Sequence, residues 1–552
     1  MRGEYMSMPK KILSFCPMLI SALLCWAVLG CNSKPDTQMV AMRDGVMLAT
    51  DCFVPHWRAP APVVLIRTVY GRVHEDYRQL ARELEKNGKN ICLVVQDTRG
   101  RFGSEGEDRV FMDDAWGTLQ DGADTVAWLL QQPWCNGRIV TYGNSARGMT
   151  QVLMAPVTGD IAGQSIRVTG SSVYTLAFTG GVWNKSLVEL WTEAQFNAYI
   201  LQTWRAHPMP DEFWNQFDAE AKARQVTAPA IHFGGWWDIS QQGTINNFSS
   251  RQYSGGPGAR GNQFLVMGPW VHLTQTQQNL GDLVLPDNYT FPQPDLEWQL
   301  LYYWLTGVGP EVLENPHVYY YVLGDVDDPA APGNMWRTTE DWPPLSTEPR
   351  HLYLAPSLAL SSSLPTAETT YTYTFDPDNP CPTLGGANLT LPAGPFDQRP
   401  VSDRSDVVRF ATVPLEAPLE VTGRIAVRLF VSTSALDTDF TAKLVDIYPD
   451  GREILLTDGI QRLKYRTGVP TPDYVLPGTI AELTIDLWSF SIIFNAGHRI
   501  GLQISSSNYP RFDVNPNTGY DFPDNASTIP ATNSIWSGPD YPSALILPVP
   551  AS

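Results

Sequence analysis

A serine flanked by closely spaced glycines lies in the first third of the chain, where an apolar run gives way to a helical pattern. The hexapeptide GNSARG at 143–148 centres on Ser145 and follows the strand-like run 138–142. Apolar residues within 149–153 then recur at the spacing of one helix face. A strand, a sharp turn around serine and a helix together expose the hydroxyl as a nucleophile beside a helix N-terminus. Arg147 stands where the usual G-x-S-x-G pattern has glycine, so the hexapeptide alone is weak evidence that Ser145 is catalytic.

A serine hydroxyl needs a base that removes its proton, and histidine titrates in the right range to act as one. Six histidines follow Ser145. His272 alone follows a clean strand pattern, at 263–267, through a short turn. His232 lies inside another strand-like run and is interpreted as buried structure, while the other four lie in a predicted cap or beyond the main sheet. The sequence therefore favours His272 as the base.

The imidazole in turn needs a carboxylate that fixes its tautomer and stabilises its cation. Asp238 lies in the loop after the strand pattern that ends at Phe233, immediately before the His272 strand. This gives the chain order serine, acid, histidine that catalytic triads on parallel sheets use. Asp97 also ends a strand pattern, but it precedes Ser145 and arginines follow it closely. We interpret Asp97 as the structural partner of a nearby arginine and Asp238 as the acid.

The negative oxygen of a tetrahedral intermediate needs hydrogen-bond donors aimed at it. The turn at Ser145 supplies one, the backbone N–H of Ala146. A second donor is expected from the loop after an early strand, and the strand-like run 63–68 leads directly to Tyr70. Tyr70 is therefore a candidate donor through its hydroxyl, although it also fits a tyrosine that only covers the sheet edge.

Short apolar runs alternate with helical stretches between residues 38 and 345, which predicts an α/β domain with a mostly parallel sheet. The strand-like runs are 63–66, 91–95, 139–140, 230–233 and 264–266, and helices are predicted at 77–87 and 119–131. Ser145, Asp238, His272 and Tyr70 each follow the carboxyl end of a predicted strand. The α/β domain is expected to comprise residues 38–181 and 227–345.

The segment 182–226 interrupts this alternation and is rich in tryptophan. It predicts a helical cap inserted over the catalytic edge of the sheet, unless its tryptophans pack only a small core of their own. The sequence changes character again over 347–552, where strand-like runs such as 424–431 and 499–505 alternate with turns and no long helix is predicted. That pattern is typical of an all-β jelly roll or β-sandwich domain.

The formal net charge of −19 makes nucleic-acid binding unfavourable, because phosphate contacts require a basic surface. The eight histidines are scattered and no histidine or cysteine cluster has metal-binding spacing, so neither a metal nor a cofactor is expected. The acidic run 325–328 is interpreted as solvated, with calcium a minor alternative. Cys52, Cys92, Cys135 and Cys381 do not form a disulfide framework, although one disulfide is compatible with an exported protein.

Residues 1–31 have the pattern of an export signal. Lys10 and Lys11 precede the uncharged apolar run 12–29, and small residues then lead to Cys31. This resembles a bacterial lipoprotein signal, in which Cys31 is lipidated and becomes the mature N-terminus. It implies a protein of the periplasm or cell envelope that contacts the membrane only through the lipid on Cys31. The alternatives are an ordinary cleaved signal, giving a secreted protein, and an uncleaved anchor.

The chain resembles the cocaine-esterase and X-Pro dipeptidyl-peptidase family of serine hydrolases. The segments that carry the resemblance are 67–71, 96–100, 143–148, 234–238, 268–272, 376–386, 437–440 and 497–500. The resemblance implies an α/β-hydrolase domain, a helical cap insertion and a C-terminal jelly roll. It also implies Ser145 as nucleophile, His272 as base and Asp238 as the residue that orients it, with Tyr70 and the Ala146 amide as the oxyanion hole.

The family usually has tyrosine directly after the nucleophile, where this chain has Ala146. The amide donor survives this change, but an aromatic wall beside the acyl group is lost, which leaves the substrate preference open. The predicted substrate is a small ester, amide or short peptide, cleaved through an acyl-enzyme. A dipeptidyl-peptidase would need a carboxylate for the substrate ammonium. The cap offers candidates for that role in Glu189, Glu193, Asp211 and Glu212.

Two further alternatives fit the same residues. The acyl group of the acyl-enzyme could pass to an amine instead of water, which would make the protein an acyl-transferase. Alternatively, the fold could be retained without catalysis in a glycan-binding lipoprotein. The presence of every catalytic residue type argues against this second alternative. The sequence leaves the oligomeric state open.

Overall fold

A computed structural model describes residues 34–55, 60–86, 90–195, 199–272, 275, 277–344, 346–522 and 527–551. The predicted signal at 1–31, including Cys31, lies outside these residues. Within the described ranges, no helix has both the length and the apolar character needed to cross a membrane. Cys52, Cys92, Cys135 and Cys381 are all free thiols.

A ten-stranded sheet forms the centre of the N-terminal part of the chain. The strands of this part of the chain are β1 (Asp36–Ala41), β2 (Met47–Phe53), β3 (Ala61–Thr68), β4 (Cys92–Asp97), β5 (Cys135–Asn144), β6 (Gly163–Arg167), β7 (Phe178–Thr179), β8 (Val182–Trp183), β9 (Ala230–Trp237), β10 (Gln263–Val271), β11 (Asn279–Leu280), β12 (Leu283–Val284), β13 (Val318–Val322) and β14 (Met335–Thr339). Four of them form two separate two-stranded sheets, β7 with β8 and β11 with β12. The sheet order is β1-β2-β4-β3-β5-β6-β9-β10-β13-β14. Neighbours from β4 through β13 pair in parallel, while the strands at both edges are antiparallel. The predicted parallel α/β sheet is confirmed.

Helices cover both faces of this sheet, which is why the central strands are continuously apolar. The helices of the whole described chain, including α5 and α6 of the cap and α9 of the C-terminal part, are α1 (Glu75–Lys86), α2 (Asp121–Leu130), α3 (Ala146–Met154), α4 (Tyr174–Ala177), α5 (Lys185–Gln195), α6 (Tyr199–Arg205), α7 (Gln241–Ser254), α8 (Leu296–Thr306) and α9 (Arg399–Ser402). On β3, Val64 and Ile66 share one core with residues of α1 and α8. Val63 and Leu65 point to the other face, where their core includes residues of α2. The two-residue period of the strand thus divides one apolar run between two cores.

The tryptophan-rich segment forms α5, α6 and short 3₁₀ turns above α3. Trp183, Trp204 and Trp214 are buried in one cluster together with Ala146 and Met149 of α3. These tryptophans therefore pack the core of the insertion and cover the turn at Ser145 at the same time. The helical cap insertion that the sequence predicts is present.

The C-terminal part is an eleven-stranded, almost entirely antiparallel β structure. Its strands are β15 (Thr347–Ala355), β16 (Ala359–Ser361), β17 (Thr369–Phe375), β18 (Val408–Ala411), β19 (Leu419–Thr433), β20 (Asp439–Ile447), β21 (Glu453–Arg462), β22 (Ala481–Phe494), β23 (Arg499–Ser505), β24 (Ala531–Ser537) and β25 (Ala544–Pro550). Along β19 and β22, alternate residues are buried in a large aliphatic and aromatic core. This confirms the predicted all-β C-terminal domain.

Polar contacts join the two sheets. The Oε1 atom of Gln242, on α7, accepts hydrogen bonds from the N–H and hydroxyl of Ser489 at 2.8 and 2.9 Å. The imidazole of His498 lies between Asp446 (2.9 Å) and Asp325 (3.1 Å) and is buried. These carboxylates raise the pKa of His498 although burial opposes the rise. Asp325 is thus a buried partner of His498. The prediction that the acidic run 325–328 is solvated is therefore wrong for Asp325.

Candidate active site

The turn at Ser145 is a tight strand-to-helix connection between β5 and α3. Ser145 itself has φ of +55°, an uncommon conformation for a residue other than glycine. A Cβ atom on Gly143 would lie 2.7 Å from the Cβ of Arg147, and one on Gly148 would lie 1.8 Å from the Thr169 hydroxyl oxygen. Both glycines are therefore required by close packing around the strained serine. Strain of this kind is common where a backbone presents a reactive group.

The structure brings Ser145, His272 and Asp238 together. The Nε2 atom of His272 lies 3.0 Å from the Ser145 hydroxyl oxygen, and its Nδ1 atom lies 3.1 Å from Oδ1 of Asp238. Both distances are within hydrogen-bonding reach. Asp238 and His272 follow the ends of the neighbouring parallel strands β9 and β10. The three residues, 127 positions apart at the extremes, form one continuous hydrogen-bonded chain.

The carboxylate of Asp238 is held rigidly and away from solvent. Asp238 is fully buried, and its Oδ1 atom also accepts the N–H of Ser240 at 2.6 Å. Its Oδ2 atom is buried without a hydrogen-bond partner. An ionised carboxylate in this setting is best stabilised by a positive charge on the adjacent imidazole. The arrangement suits a histidine that gains a proton during a reaction.

Two donors face the space beside Ser145. Ala146 is the first residue of α3, and N–H groups in the first turn of a helix have no partner within the helix. Burial raises the pKa of the Tyr70 hydroxyl, and hydrogen bonds that involve Trp191 and Ser145 oppose the rise. Tyr70 therefore keeps its proton at neutral pH and lies within reach of Ser145. Ala146 follows the nucleophile directly, and Tyr70 stays the predicted second donor.

Arg147 is a further residue that the sequence did not assign to the site. Its Nη1 atom donates to the Tyr77 hydroxyl at 3.0 Å, and its Nη2 atom donates to Oδ1 of Asn144 at 2.5 Å. The guanidinium carbon lies 5.9 Å from the centre of the Tyr70 ring. Arg147 thus packs against Tyr70 while its own position is fixed by α1 and β5. The only sequence signal for it was its departure from the usual glycine.

The residues interpreted as structural behave as expected. The carboxylate of Asp97 binds Arg72 at 2.7 Å and is buried. His232 is fully buried beside Gln263, and burial lowers its pKa to about 3. Among the described residues, no three histidine, cysteine, aspartate or glutamate side chains lie close enough to hold a metal ion.

Ser145 opens into an apolar cavity of about 470 Å³, a volume that includes its mouth. The cap contributes Trp191 and Trp204 to its wall, and Phe111 packs against Trp191 with the two ring centres 6.4 Å apart. These rings supply the aromatic surface that Ala146 lacks. No ionisable side chain is among the described residues that line this cavity.

The cap carboxylates considered for an ammonium site do not line this cavity. Glu189 is bound by Lys185 and by the guanidinium of Arg205. Asp211 pairs with His207 and accepts backbone N–H groups, and Glu212 is exposed. The side chain of Glu193 lies outside the described residues. None of the described carboxylates is therefore positioned to meet a substrate ammonium at Ser145.

Glu297 contacts the turn at Ser145 indirectly, through Arg167. Its carboxylate binds the guanidinium of Arg167 at 2.7 and 2.5 Å and also accepts the hydroxyl of Ser165. The carbonyl of Arg167 accepts the N–H of Ser145 at 2.9 Å. Glu297 lies on α8, 130 residues beyond its partner, so only the folded chain reveals this contact.

Two family models together match most of the chain. The X-Pro dipeptidyl-peptidase (S15 family) model matches residues 44–199 and 184–274. The X-Pro dipeptidyl-peptidase C-terminal non-catalytic domain matches residues 310–546. The first match contains Ser145, Asp238 and His272, and the second matches most of the β domain.

Individual relatives match over nearly their whole length. The chain is 33% identical to cocaine esterase of Rhodococcus sp. (strain MB1 Bresler), over 94% of this chain and 99% of that protein. Its fold is similar to that of an aminopeptidase from Thaumarchaeota archaeon, with TM-score 0.81, 25% identity and coverage of 94% and 96%. It is also similar to an α-amino acid ester hydrolase, with TM-score 0.80, 24% identity and coverage of 95% and 98%.

Proposed function

Since the chain belongs to the family of cocaine esterases and X-Pro dipeptidyl-peptidases, which are serine hydrolases, we propose that it cleaves carboxylic esters through an acyl-enzyme on Ser145. The observation that carries this proposal is the continuous hydrogen-bonded chain from Ser145 through His272 to Asp238. The preferred acyl group is uncharged and apolar. Amide cleavage, including X-Pro dipeptide release, is the second candidate.

In the acylation step, Nε2 of His272 accepts the proton of Ser145 as the serine oxygen attacks the carbonyl carbon. The carbonyl oxygen becomes negative and is bound by the Ala146 N–H and the Tyr70 hydroxyl. The carbon–oxygen bond to the leaving alcohol then breaks, and His272 gives its proton to that alcohol. Asp238 stabilises the positive charge on the imidazole between these two proton transfers.

In the deacylation step, water takes the place of the alcohol. His272 accepts a proton from the water as it attacks the acyl carbon, and the same two donors bind the second oxyanion. The bond to Ser145 breaks, the serine regains its proton from His272, and the carboxylic acid leaves. An amine in place of water would give the acyl-transferase alternative with the same residues.

The cavity wall supports a neutral acyl group. The described lining residues beside Ser145 carry no charge, and most of them are aliphatic or aromatic. An ammonium group placed there would lose its hydration without gaining a carboxylate partner, which costs free energy. A dipeptidyl-peptidase must bind such an ammonium, and the described cap carboxylates are paired or exposed. These features favour ester hydrolysis.

A matched substrate pair tests this preference. We expect kcat/KM for p-nitrophenyl butyrate to exceed that for p-nitrophenyl 2-aminobutyrate by about 10- to 100-fold after correction for chemical reactivity, since an unpaired charge is buried in only one case. The esters differ only in the α-ammonium group. A faster reaction with the amino ester, together with cleavage of Gly-Pro p-nitroanilide, would support the dipeptidyl-peptidase alternative instead.

Removing one oxyanion donor gives a separate prediction. Tyr70→Phe should lower kcat by about 10²-fold with little change in KM, because the hydroxyl stabilises the transition state more than the bound ester. Steady-state kinetics with p-nitrophenyl butyrate measure both constants. The control is Tyr253→Phe on α7, which should retain the wild-type kcat. An unchanged kcat with a raised KM would instead mean that Tyr70 acts only in substrate binding.

We further propose that the protein is exported and lipid-anchored at Cys31, from the charged, apolar and small-residue pattern of residues 1–31. Labelled palmitate should enter the wild type and the Cys25→Ala control in a bacterial host, and Cys31→Ala should lose both the label and membrane association. Membrane retention of unlabelled Cys31→Ala would indicate an uncleaved anchor. Release of an unlabelled wild type would indicate an ordinary secretory signal.

A further inference from the structure

The apolar cavity at Ser145 adjoins a second, larger cavity. The second cavity has a volume of about 720 Å³, including its mouth, and lies where the α/β domain meets the β domain. The two cavities share four wall residues, Gly170, Leu176, Ile239 and Ser240. Ile239 follows Asp238 directly in the chain. We call the second space the junction cavity.

Ile239 is the side chain that these spaces have in common. It lines the apolar cavity, the junction cavity and a third, smaller cavity that also reaches Trp488. A molecule that occupied both the apolar cavity and the junction cavity would contact Ile239. This places Ile239 between two chemically different compartments.

The junction cavity differs from the apolar cavity in its polar lining. Its walls include the primary amides of Gln242, Asn246 and Gln461, and the hydroxyls of Thr175 and Thr179. Amides and hydroxyls both donate and accept hydrogen bonds, which is also what the hydroxyl groups of a polyol do. All of these groups also make hydrogen bonds within the protein: the two threonines donate to the Ser172 carbonyl and to Asn184, and the amides are bonded to neighbouring groups. A hydroxyl-rich ligand would use the threonine lone pairs, the second amide hydrogens of Gln242 and Asn246 and the amide oxygen of Gln461, whereas the apolar cavity offers far fewer such groups.

The charged residues of the junction cavity are already paired. The guanidinium of Arg424 donates to the two carboxylate oxygens of Asp486 at 3.1 and 2.6 Å. These are the charged side chains among the described residues that line the cavity. A charged ligand would have to break this pair, so the lining favours a neutral ligand.

Trp488 provides a further sign that this wall is specialised. Its φ is +66°, an outlier for a residue with a bulky side chain, and its backbone N–H donates to Oδ1 of Asp486 at 3.1 Å. Backbone strain of this kind costs free energy and persists only where the surroundings impose it. Here it sets a half-buried indole against the junction cavity and beside the smaller one.

We propose that the junction cavity binds the alcohol part of the substrate, and that this alcohol is an uncharged, hydroxyl-rich group such as a sugar. The substrate class is then an amphiphilic ester whose short apolar acyl group enters the cavity at Ser145. Ile239 separates the two parts and is a specificity-determining residue. This inference rests on the proposed ester hydrolysis at Ser145.

A substrate comparison with a blocking variant tests the proposal. The substrates are methyl butyrate and 6-O-butyryl glucose, which share the acyl group. We expect the wild type to prefer the glucose ester by about tenfold or more in kcat/KM, the effect of one or two added hydrogen bonds. Thr175→Trp fills the junction cavity from an exposed helical position beside Gly170. It should reduce the preference to within about threefold.

The control is Thr370→Trp, which makes the same change at an exposed position on the edge strand β17 and should keep the preference. Equal kcat/KM for both esters in the wild type, or a preference that survives Thr175→Trp, would overturn the proposal. Preference for an uncharged peptide alcohol, the butyrate ester of N-acetylserine methylamide, over the glucose ester would overturn the assignment to sugars. If neither ester is hydrolysed and Ser145 resists phosphonylation, the proposed function itself fails.

Discussion

Ser145→Ala is expected to lower kcat/KM for p-nitrophenyl butyrate by about 10⁴-fold or more, because no acyl-enzyme can form without the hydroxyl. The variant should remain folded, since the side chain loses only one oxygen atom at a half-buried site. Residual activity would come from the Ala146 and Tyr70 donors and from substrate binding. Initial rates with purified enzyme, together with thermal unfolding, measure both effects.

Covalent labelling makes this result specific to Ser145. A fluorescent organophosphonate should label the wild type at one serine and leave Ser145→Ala unlabelled, because His272 activates only the hydroxyl within its reach. Ser250→Ala, a serine change on α7, is the matched control and should keep both label and activity. Full activity in Ser145→Ala, or a label on another serine, would exclude the proposed nucleophile.

The sequence is most informative where local pattern and chain order coincide. Ser145, Asp238 and His272 each follow a strand of the parallel sheet, and such strands end at one edge. Pattern alone therefore predicts that they meet. Gly143 also has a local cause, because a Cβ there would meet Arg147 of the same turn, whereas Gly148 is required by Thr169 of a neighbouring segment. This part of the site follows from short-range stereochemistry and sheet direction.

Other features depend on contacts between segments far apart in the chain. Arg147 packs on Tyr70 only because the loop after β3 turns toward α3, and nothing in either segment encodes that approach. Asp325 appears in an acidic surface run, yet it is buried because His498, 173 residues away, supplies a partner. The junction cavity likewise exists only where the α/β domain and the β domain meet. Pairings of this kind are set by tertiary packing and leave no periodic signal.

Asp238→Asn is expected to lower kcat by about 10⁴-fold while the protein remains folded. The amide is nearly isosteric with the carboxylate, but its NH₂ group can donate to Nδ1 of His272. That places the imidazole proton on Nε2, which then cannot accept the proton of Ser145. The variant also loses the negative charge that stabilises the imidazolium. Steady-state kinetics and circular dichroism measure these effects.

Asp97→Asn is the informative comparison, because Asp97 is also a buried carboxylate at the end of a parallel strand. It binds Arg72 and has no hydrogen bond to His272 in the structure. Breaking this pair should lower the free energy of unfolding by about 3 kcal/mol, while kcat of the folded protein stays within about threefold of wild type. The two substitutions thus separate a carboxylate that orients a base from one that neutralises an arginine. If Asp97→Asn removed turnover and Asp238→Asn did not, the assignment of the acid would be reversed.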